Sequence, residues 1–138
     1  MKFLEVETEE QLQMAFAIRE KVFVLEQGVS LEEEFDEFEA ISKHFLVVEG
    51  EKALGTARYR KTEKGYKLER FAVLKEFRGK GVGKLLIENL LTKLKSEVES
   101  IKYLHAQTQA VGFYSKFGFK RKGESFLEAT IEHVRMEF

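Results

Sequence analysis

The sequence predicts a mixed α/β fold, an α+β arrangement in which an antiparallel β-meander is followed by a βαβα half. Three observations predict it. Short apolar runs broken by turn residues occupy 45–74, which is the pattern of a meander. After Gly83 the apolar spacing changes to Leu86, Leu90, Leu94 and Val98, a helical stripe. Beyond it, strand-like and helix-like segments alternate to the end of the chain.

In chain order, Met1–Val6 reads as a first strand. Thr8 and Gln11 have capping-box spacing, and Leu12, Ala15, Phe16, Val22 and Phe23 recur on one face. A single helix is therefore expected from Thr8 to about Leu25, stopped at Gln27-Gly28. The stretch 31–40 carries Glu32, Glu33, Glu34, Asp36, Glu37 and Glu39 around Phe35 and Phe38, and reads as a loop or short helix. Strands follow at 45–49, 53–60 and 66–74, with turns at 49–52 and at Lys64-Gly65. The second helix is expected to end near Ser100. Ile101–Gln107 is a strand, Ala110–Phe117 a short helix stopped by Gly118, and Phe119–Lys122 and His133–Phe138 close the chain as strands.

A length of 138 residues predicts one domain, 1–138, large enough to bury a core without cross-links. The net charge of −1 gives no electrostatic case for nucleic acid. The absence of cysteine excludes disulfides, thiolate metal sites and a cysteine nucleophile. No apolar run approaches the ~18 residues of a membrane span, and the N-terminus lacks a signal-peptide pattern, so a cytoplasmic location is expected. The three scattered histidines have no metal-ligand spacing, and no metal is expected.

The strongest local signal is Arg78-Gly79-Lys80-Gly81-Val82-Gly83-Lys84, which follows a strand and opens a helix. Glycines there let several backbone N–H groups converge on one anion, and the helix N-terminus adds partial positive charge. A pyrophosphate is the natural ligand. A Walker A loop is excluded, because Lys84 is followed by Leu85 and the glycine spacing is too short. A dinucleotide fingerprint belongs to an early βαβ unit, whereas these glycines follow a meander. The remaining match is Arg/Gln-x-x-Gly-x-Gly/Ala, met by Arg78, Gly81 and Gly83. In this loop the sequence resembles the GNAT superfamily of acyl-CoA-dependent N-acyltransferases.

A second segment carries the same resemblance. Gln107-Thr108-Gln109-Ala110-Val111-Gly112-Phe113-Tyr114-Ser115-Lys116-Phe117-Gly118-Phe119 is similar to the family pattern Asn-x-x-Ala-x-x-Phe-Tyr-x-x-x-Gly-Phe, with Gln107 in place of Asn. A narrower resemblance, to the ElaA-type subgroup of small bacterial GNAT proteins, lies in the run from Arg19 to Val29, in Glu34-Phe35-Asp36-Glu37 and His44, and in the closing segment Phe126–Met136. There Thr130 and Glu132 stand where Gly and Pro are usual.

The resemblance implies acetyl-CoA as co-substrate, held by Phe71, Ala72 and Val73 of the preceding strand, by the loop residues Arg78, Gly79, Lys80, Gly81, Val82, Gly83 and Lys84, and by Gln107, Phe113 and Lys116. A backbone N–H within Phe71–Val73 would receive the charge that builds on the thioester oxygen. Tyr114 is the expected proton donor to the departing thiolate, since a neutral phenol can donate at pH 7. Glu69 is placed on the face of Phe71 and Val73 by the period of two. It is either the base that deprotonates the amine or an ion-paired strand carboxylate.

For the acceptor pocket the candidates are Arg19, Phe23, Glu26, Gln27, His44 and His133. Arg19 sits on an apolar helix stripe and must pair either with the acidic stretch or with an anionic substrate group. The expected acceptor is a small-molecule amine, attacked directly, by a monomer or homodimer. Two alternatives stand beside it: a non-catalytic acyl-CoA-binding or regulatory module, and a protein-lysine acetyltransferase.

Overall fold

The computed structural model describes residues Met1–Phe138. Strand β1 (Lys2–Glu5) leads into helix α1 (Glu9–Arg19), followed by α2 (Leu31–Glu34), the strands β2 (Lys43–Glu49), β3 (Lys52–Thr62) and β4 (Gly65–Val73), helix α3 (Val82–Lys93), β5 (Lys102–Gln107), α4 (Val111–Ser115), β6 (Lys120–Glu128) and β7 (Ile131–Glu137). The strands form one seven-stranded sheet in the order β1-β2-β3-β4-β5-β7-β6. Every pairing is antiparallel except β4 with β5.

The N-terminal helix begins as its capping box requires. Thr8 Oγ1 accepts from the Gln11 amide at 3.1 Å, and Gln11 Oε1 accepts from the Thr8 amide at 3.2 Å. The predicted uninterrupted helix changes pitch, however. From Glu20 to Glu26 it winds as a π-helix, a widening found mostly at functional sites. Helix α3 is shorter than predicted, because Leu94 is its C-cap and Val98 is exposed. The apolar stripe runs past the edge of the core it covers, so the last turn has nothing to bury against and unwinds. Strand β6 extends to Glu128, well beyond the predicted Lys122. Most of its residues are exposed, so an edge strand paired only to β7 carries no apolar alternation to announce it.

Helices α1 and α3 cover opposite sheet faces. Ala15, Ile18 and Val22 pack with Leu46, Ala72 and Leu74, whereas Leu86, Ile87 and Leu90 pack with Phe45, Val47, Leu68 and Leu104. Strand β4 serves both faces in an unusual way. Its register against β3 slips between Glu69 and Ala72, so that Arg70 and Phe71 together oppose Ala57. This is a β-bulge, and Arg70 has φ +59°, a conformation that costs about 1–2 kcal/mol for a side-chain-bearing residue. After the slip Phe71 and Val73 share the α3 face with Leu68, while Ala72 and Leu74 join the α1 core. Glu69 therefore does not share a face with Phe71, as strict alternation predicts; the extra residue reverses the phase.

Candidate functional site

Strands β4 and β5 are in register only at Tyr66–Lys102 and Lys67–Tyr103. Beyond these pairs they diverge, and a cavity of about 860 Å³ opens between them. Leu68–Val73 line it from one side and Leu104, His105 and Gln107 from the other. The edge of β4 facing this gap has no strand partner, so an extended ligand arm could pair with it as an added strand does.

At the α3 side the cavity meets the glycine-rich loop. Gly79, Gly81, Val82, Gly83 and Lys84 all line it. Gly81 is the N-cap of α3 with φ +88° and no side-chain cap, so the first-turn amides are left for an external acceptor. Gly83 has a different reason to lack a side chain: a Cβ there would stand 3.2 Å from the Phe113 ring. The two sequence signatures thus touch one another. Arg78 also lines the cavity and braces the loop, donating from Nε to the Val73 carbonyl at 3.0 Å and from its terminal nitrogens to Glu26 at 2.6 and 2.8 Å.

Tyr114 lies in α4, its ring set against Phe71, Phe113 and Phe119 at centroid distances of 5.5, 5.1 and 6.1 Å. It is 8% exposed and lines the cavity. The one fully buried side-chain atom without a partner is Arg135 Nε, so the Tyr114 hydroxyl is not sealed in the core. Burial pushes its pKa up, which keeps the phenol protonated and able to donate.

On the α1 side the cavity is lined by Phe23, Gln27, Lys67, Glu69, His133 and their neighbours. Gln107, which replaces the usual Asn, donates to Gln27 Oε1 at 2.9 Å and accepts from Gln109 at 2.6 Å. The longer amide therefore bridges the end of β5 to the π-helical segment. Glu69 is held by Arg58 at 2.6 Å, Arg60 at 2.7 Å and Lys67 at 3.4 Å. Burial alone would raise its pKa, but Arg58, Arg60 and Lys67 outweigh burial and hold it below the usual carboxylate range. A carboxylate so engaged is a poor proton acceptor, and of the two readings left open for Glu69 the geometry favours the ion-paired strand carboxylate.

Five of the predicted site residues do not line the cavity. Arg19 is 1% exposed and pairs with Glu34 at 2.7 Å and Glu39 at 2.7 Å, so the acidic stretch supplies its partners. His44 contacts the Glu39 carbonyl at 2.8 Å beside the same cluster, and burial lowers its pKa. Glu26 is engaged with Arg78 on the outside of the loop. Lys80 lies over the Phe77 ring at 5.6 Å, and Lys116 is exposed at the C-cap of α4. Conversely, His105, Gln109, Glu128, Ala129 and Ile131 line the cavity without having been predicted. The period of two places His105 beside Gln107 on one face of β5 and was a legible signal for it. Ala129 and Thr130 form the β6–β7 turn at φ +52° and +63°, a conformation that neither residue type announces.

Comparison with known proteins agrees with this geometry. Residues 3–138 match the family described as acetyltransferase (GNAT) domain. The chain is a GNAT acetyltransferase. It is 45% identical to the uncharacterized N-acetyltransferase YjcF of Bacillus subtilis, over 99% of this chain and 98% of that one. The GNAT fold is shared with an acyl-CoA N-acyltransferase from Pseudomonas aeruginosa, at TM-score 0.87 and 23% identity, covering 99% and 97% of the two chains. It is shared also with Escherichia coli ElaA, at TM-score 0.86 and 24% identity, covering 99% of each. The resemblance read from the glycine loop and the Phe113-Tyr114 segment therefore extends to the whole enzyme, and the resemblance to ElaA extends to the fold. No helix of this GNAT domain is long and apolar enough to cross a membrane.

Proposed function

We propose that this enzyme transfers the acetyl group of acetyl-CoA to the amine of a small molecule, by direct attack within the gap between β4 and β5. The observation that carries the reading is that one cavity reaches both sheet faces. Its α3 side carries the glycine loop and Tyr114, and its α1 side carries ionisable groups. The phosphate end of the donor fits the amides of Val82–Lys84 with Lys84 beside them. The uncapped N-terminus of α3 and the left-handed Gly81 support that fit. On its acceptor side the cavity is bounded by Val29, Asp36 and the Ala129 turn, which favours a small acceptor over an extended peptide.

In this reading the unpaired edge of β4 binds the donor arm, and a backbone N–H within Phe71–Val73 receives the developing oxyanion, an interaction worth about 3 kcal/mol in comparable sites. The Tyr114 hydroxyl gives a proton to the departing sulfur. Lys84, Gly79–Gly83 and Phe113 hold the donor, and Phe23, Gln27 and His133 border the acceptor.

The first expected result is selective stabilisation. CoA and acetyl-CoA should raise the melting temperature by mass action, with ligand at about 100 times Kd adding about 2.7 kcal/mol. NAD and ATP should do much less at equal concentration, and equal stabilisation by NAD would remove the donor assignment. Thiol release from acetyl-CoA, measured across primary amines with a lysine peptide as a separate arm, then decides the acceptor class. Turnover confined to the peptide would replace the small-molecule reading.

Gly81→Ala supplies a second test. A Cβ at φ +88° costs about 1 kcal/mol of fold stability. If the loop amides hold the phosphates, CoA affinity should also fall by about tenfold or more, which corresponds to ~1.4 kcal/mol. Binding at parental affinity, measured by calorimetry on the folded variant, would take the loop out of the site.

A further inference from the structure

With Glu69 engaged by three cations, the amine proton needs another acceptor on the α1 face. A second ionisable group lines the cavity there. Glu128, the last residue of β6, has Oε1 at 3.1 Å from His105 Nδ1 of β5 and Oε2 at 3.7 Å from His133 Nε2 of β7. All three residues line the cavity. Their strands send Leu104, Ala106 and Val134 into the α3 core, so alternation turns His105 and His133 to the α1 face. The two substrates would thus meet from opposite faces, with Tyr114 on one and these histidines on the other.

Hydrogen-bond chemistry fixes the tautomers. Glu128 has a pKa of about 2, lowered first by the His105 hydrogen bond. An ionised carboxylate only accepts, so His105 Nδ1 carries a proton and donates it to Oε1, leaving the Nε2 lone pair free. His133 Nδ1 lies 2.7 Å from the Ile131 carbonyl, which also only accepts. Its Nε2 faces Glu128 Oε2 at 3.7 Å. The ring of His105 is held in addition by the edge of Phe126 at 5.0 Å and by Tyr103 at 6.0 Å. The charged groups around it are Glu128 of β6, Lys67 of β4, and His133 and Arg135 of β7. Lys67 acts on Glu128, and Arg135 is engaged with Glu137 at 2.7 Å.

We propose that His105, oriented by Glu128, is the general base that accepts the proton of the attacking amine. The proposal rests on the reading of the enzyme as an acetyl-CoA-dependent N-acetyltransferase. The amine nitrogen forms the new C–N bond with the thioester carbonyl carbon as the C–S bond breaks. The nitrogen's proton passes to His105 Nε2, while Tyr114 gives one to the sulfur. Exchange with solvent returns the proton from His105 and restores that of Tyr114. A nucleophile-activating base held by a third group is the arrangement that recurs in acyl-transfer sites.

The test uses the full chain carrying His105→Gln, Glu128→Gln or His133→Gln, with thiol release from acetyl-CoA read across primary amines and CoA affinity read by calorimetry. His105→Gln should lower kcat by about 100-fold at unchanged CoA affinity. Hydroxylamine, largely unprotonated at neutral pH, should restore most of the loss. Glu128→Gln should cost about tenfold in kcat and move the imidazole NMR signals of His105 in the free protein. Turnover by His105→Gln within about twofold of the parent, or a comparable loss confined to His133→Gln, overturns the assignment. A second readout needs no acceptor. The chain has only three histidines, and acetyl-CoA should move the imidazole NMR signals of His105 while leaving those of His44 in place. Unmoved His105 signals at saturating acetyl-CoA overturn the proposal. Failure of the wild-type protein to bind CoA overturns the underlying reading instead.

Discussion

Tyr114→Phe is expected to lower kcat by about 100-fold or more, the scale of general acid catalysis, while the melting temperature and CoA affinity stay near parental values. The substitution keeps the ring that packs against Phe71, Phe113 and Phe119 and deletes only the hydroxyl. No internal hydrogen bond is forfeited, because the hydroxyl is neither sealed nor bonded within the protein. The structure therefore separates two outcomes cleanly. A packing residue predicts almost no effect on turnover, and a proton donor predicts a large one. Burial holds the phenol protonated, so the donor form is present throughout the working pH range. The dependence on Tyr114 should weaken for an acyl donor whose thiol is more acidic, since that thiolate departs with less help. Single-turnover thiol release at saturating donor is the measurement, and turnover within about twofold of the parent would leave a water as the proton source.

Arg58→Met is expected to have the largest effect on the fold, destabilising it by about 3–5 kcal/mol, the cost of stranding buried charges. Arg58 is fully buried and binds three carboxylates: Asp36 at 2.8 Å, Glu39 at 2.7 Å and Glu69 at 2.6 Å. Methionine fills much of the volume but leaves those acids facing one another. Total stabilities of domains lie near 5–15 kcal/mol, so the variant should unfold at a markedly lower urea midpoint with an unchanged slope. Adding Glu69→Gln should recover part of the loss, because one orphaned charge is removed. Acid should act in the same direction. The folded pKa of Asp36 is about 2 against 3.8, and those of Glu39 and Glu69 are also lowered. Their contribution is present in full above the unfolded values and is lost as pH falls through the folded ones, from about 4.5 down to about 2. Wild-type stability should decline over that window, and the decline should be shallower in Arg58→Met. Equal midpoints for the two proteins at neutral pH would show that the cluster holds nothing together.

The sequence carried the elements that obey a local rule. The Thr8 cap, the glycine loop and the Phe113-Tyr114 segment were legible because each depends on neighbours in the chain. What stayed hidden depends on non-local pairing. The bulge at Arg70 exists only against Ala57 of β3, and neither residue advertises it. Missing it sent Glu69 to the wrong face. Similarly, β6 shows little apolar alternation, so Glu128 could not be joined to His105 from spacing alone. Arg19 was visible as an anomaly on an apolar stripe. Its partners Glu34 and Glu39 lay in the acidic run already singled out, but two destinations for the charge fitted the same pattern.

The slip in β4 also makes one position of the strand dispensable in length while its neighbours are not. Arg70 is the surplus residue, and with it removed Glu69 and Phe71 become neighbours that alternate as in any regular strand. Phe71 and Val73 would keep the α3 face and Ala72 and Leu74 the α1 face, because the bulge already gives them that phase. What a one-codon deletion takes away is the kink and the Arg70 side chain with its contact to Asp36 at 3.1 Å. A single residue added or lost elsewhere in the strand acts instead as a frameshift written in space, turning small and large groups to the wrong halves of the molecule. Natural variation in β4 should therefore place its gaps at this site and nowhere else in the strand.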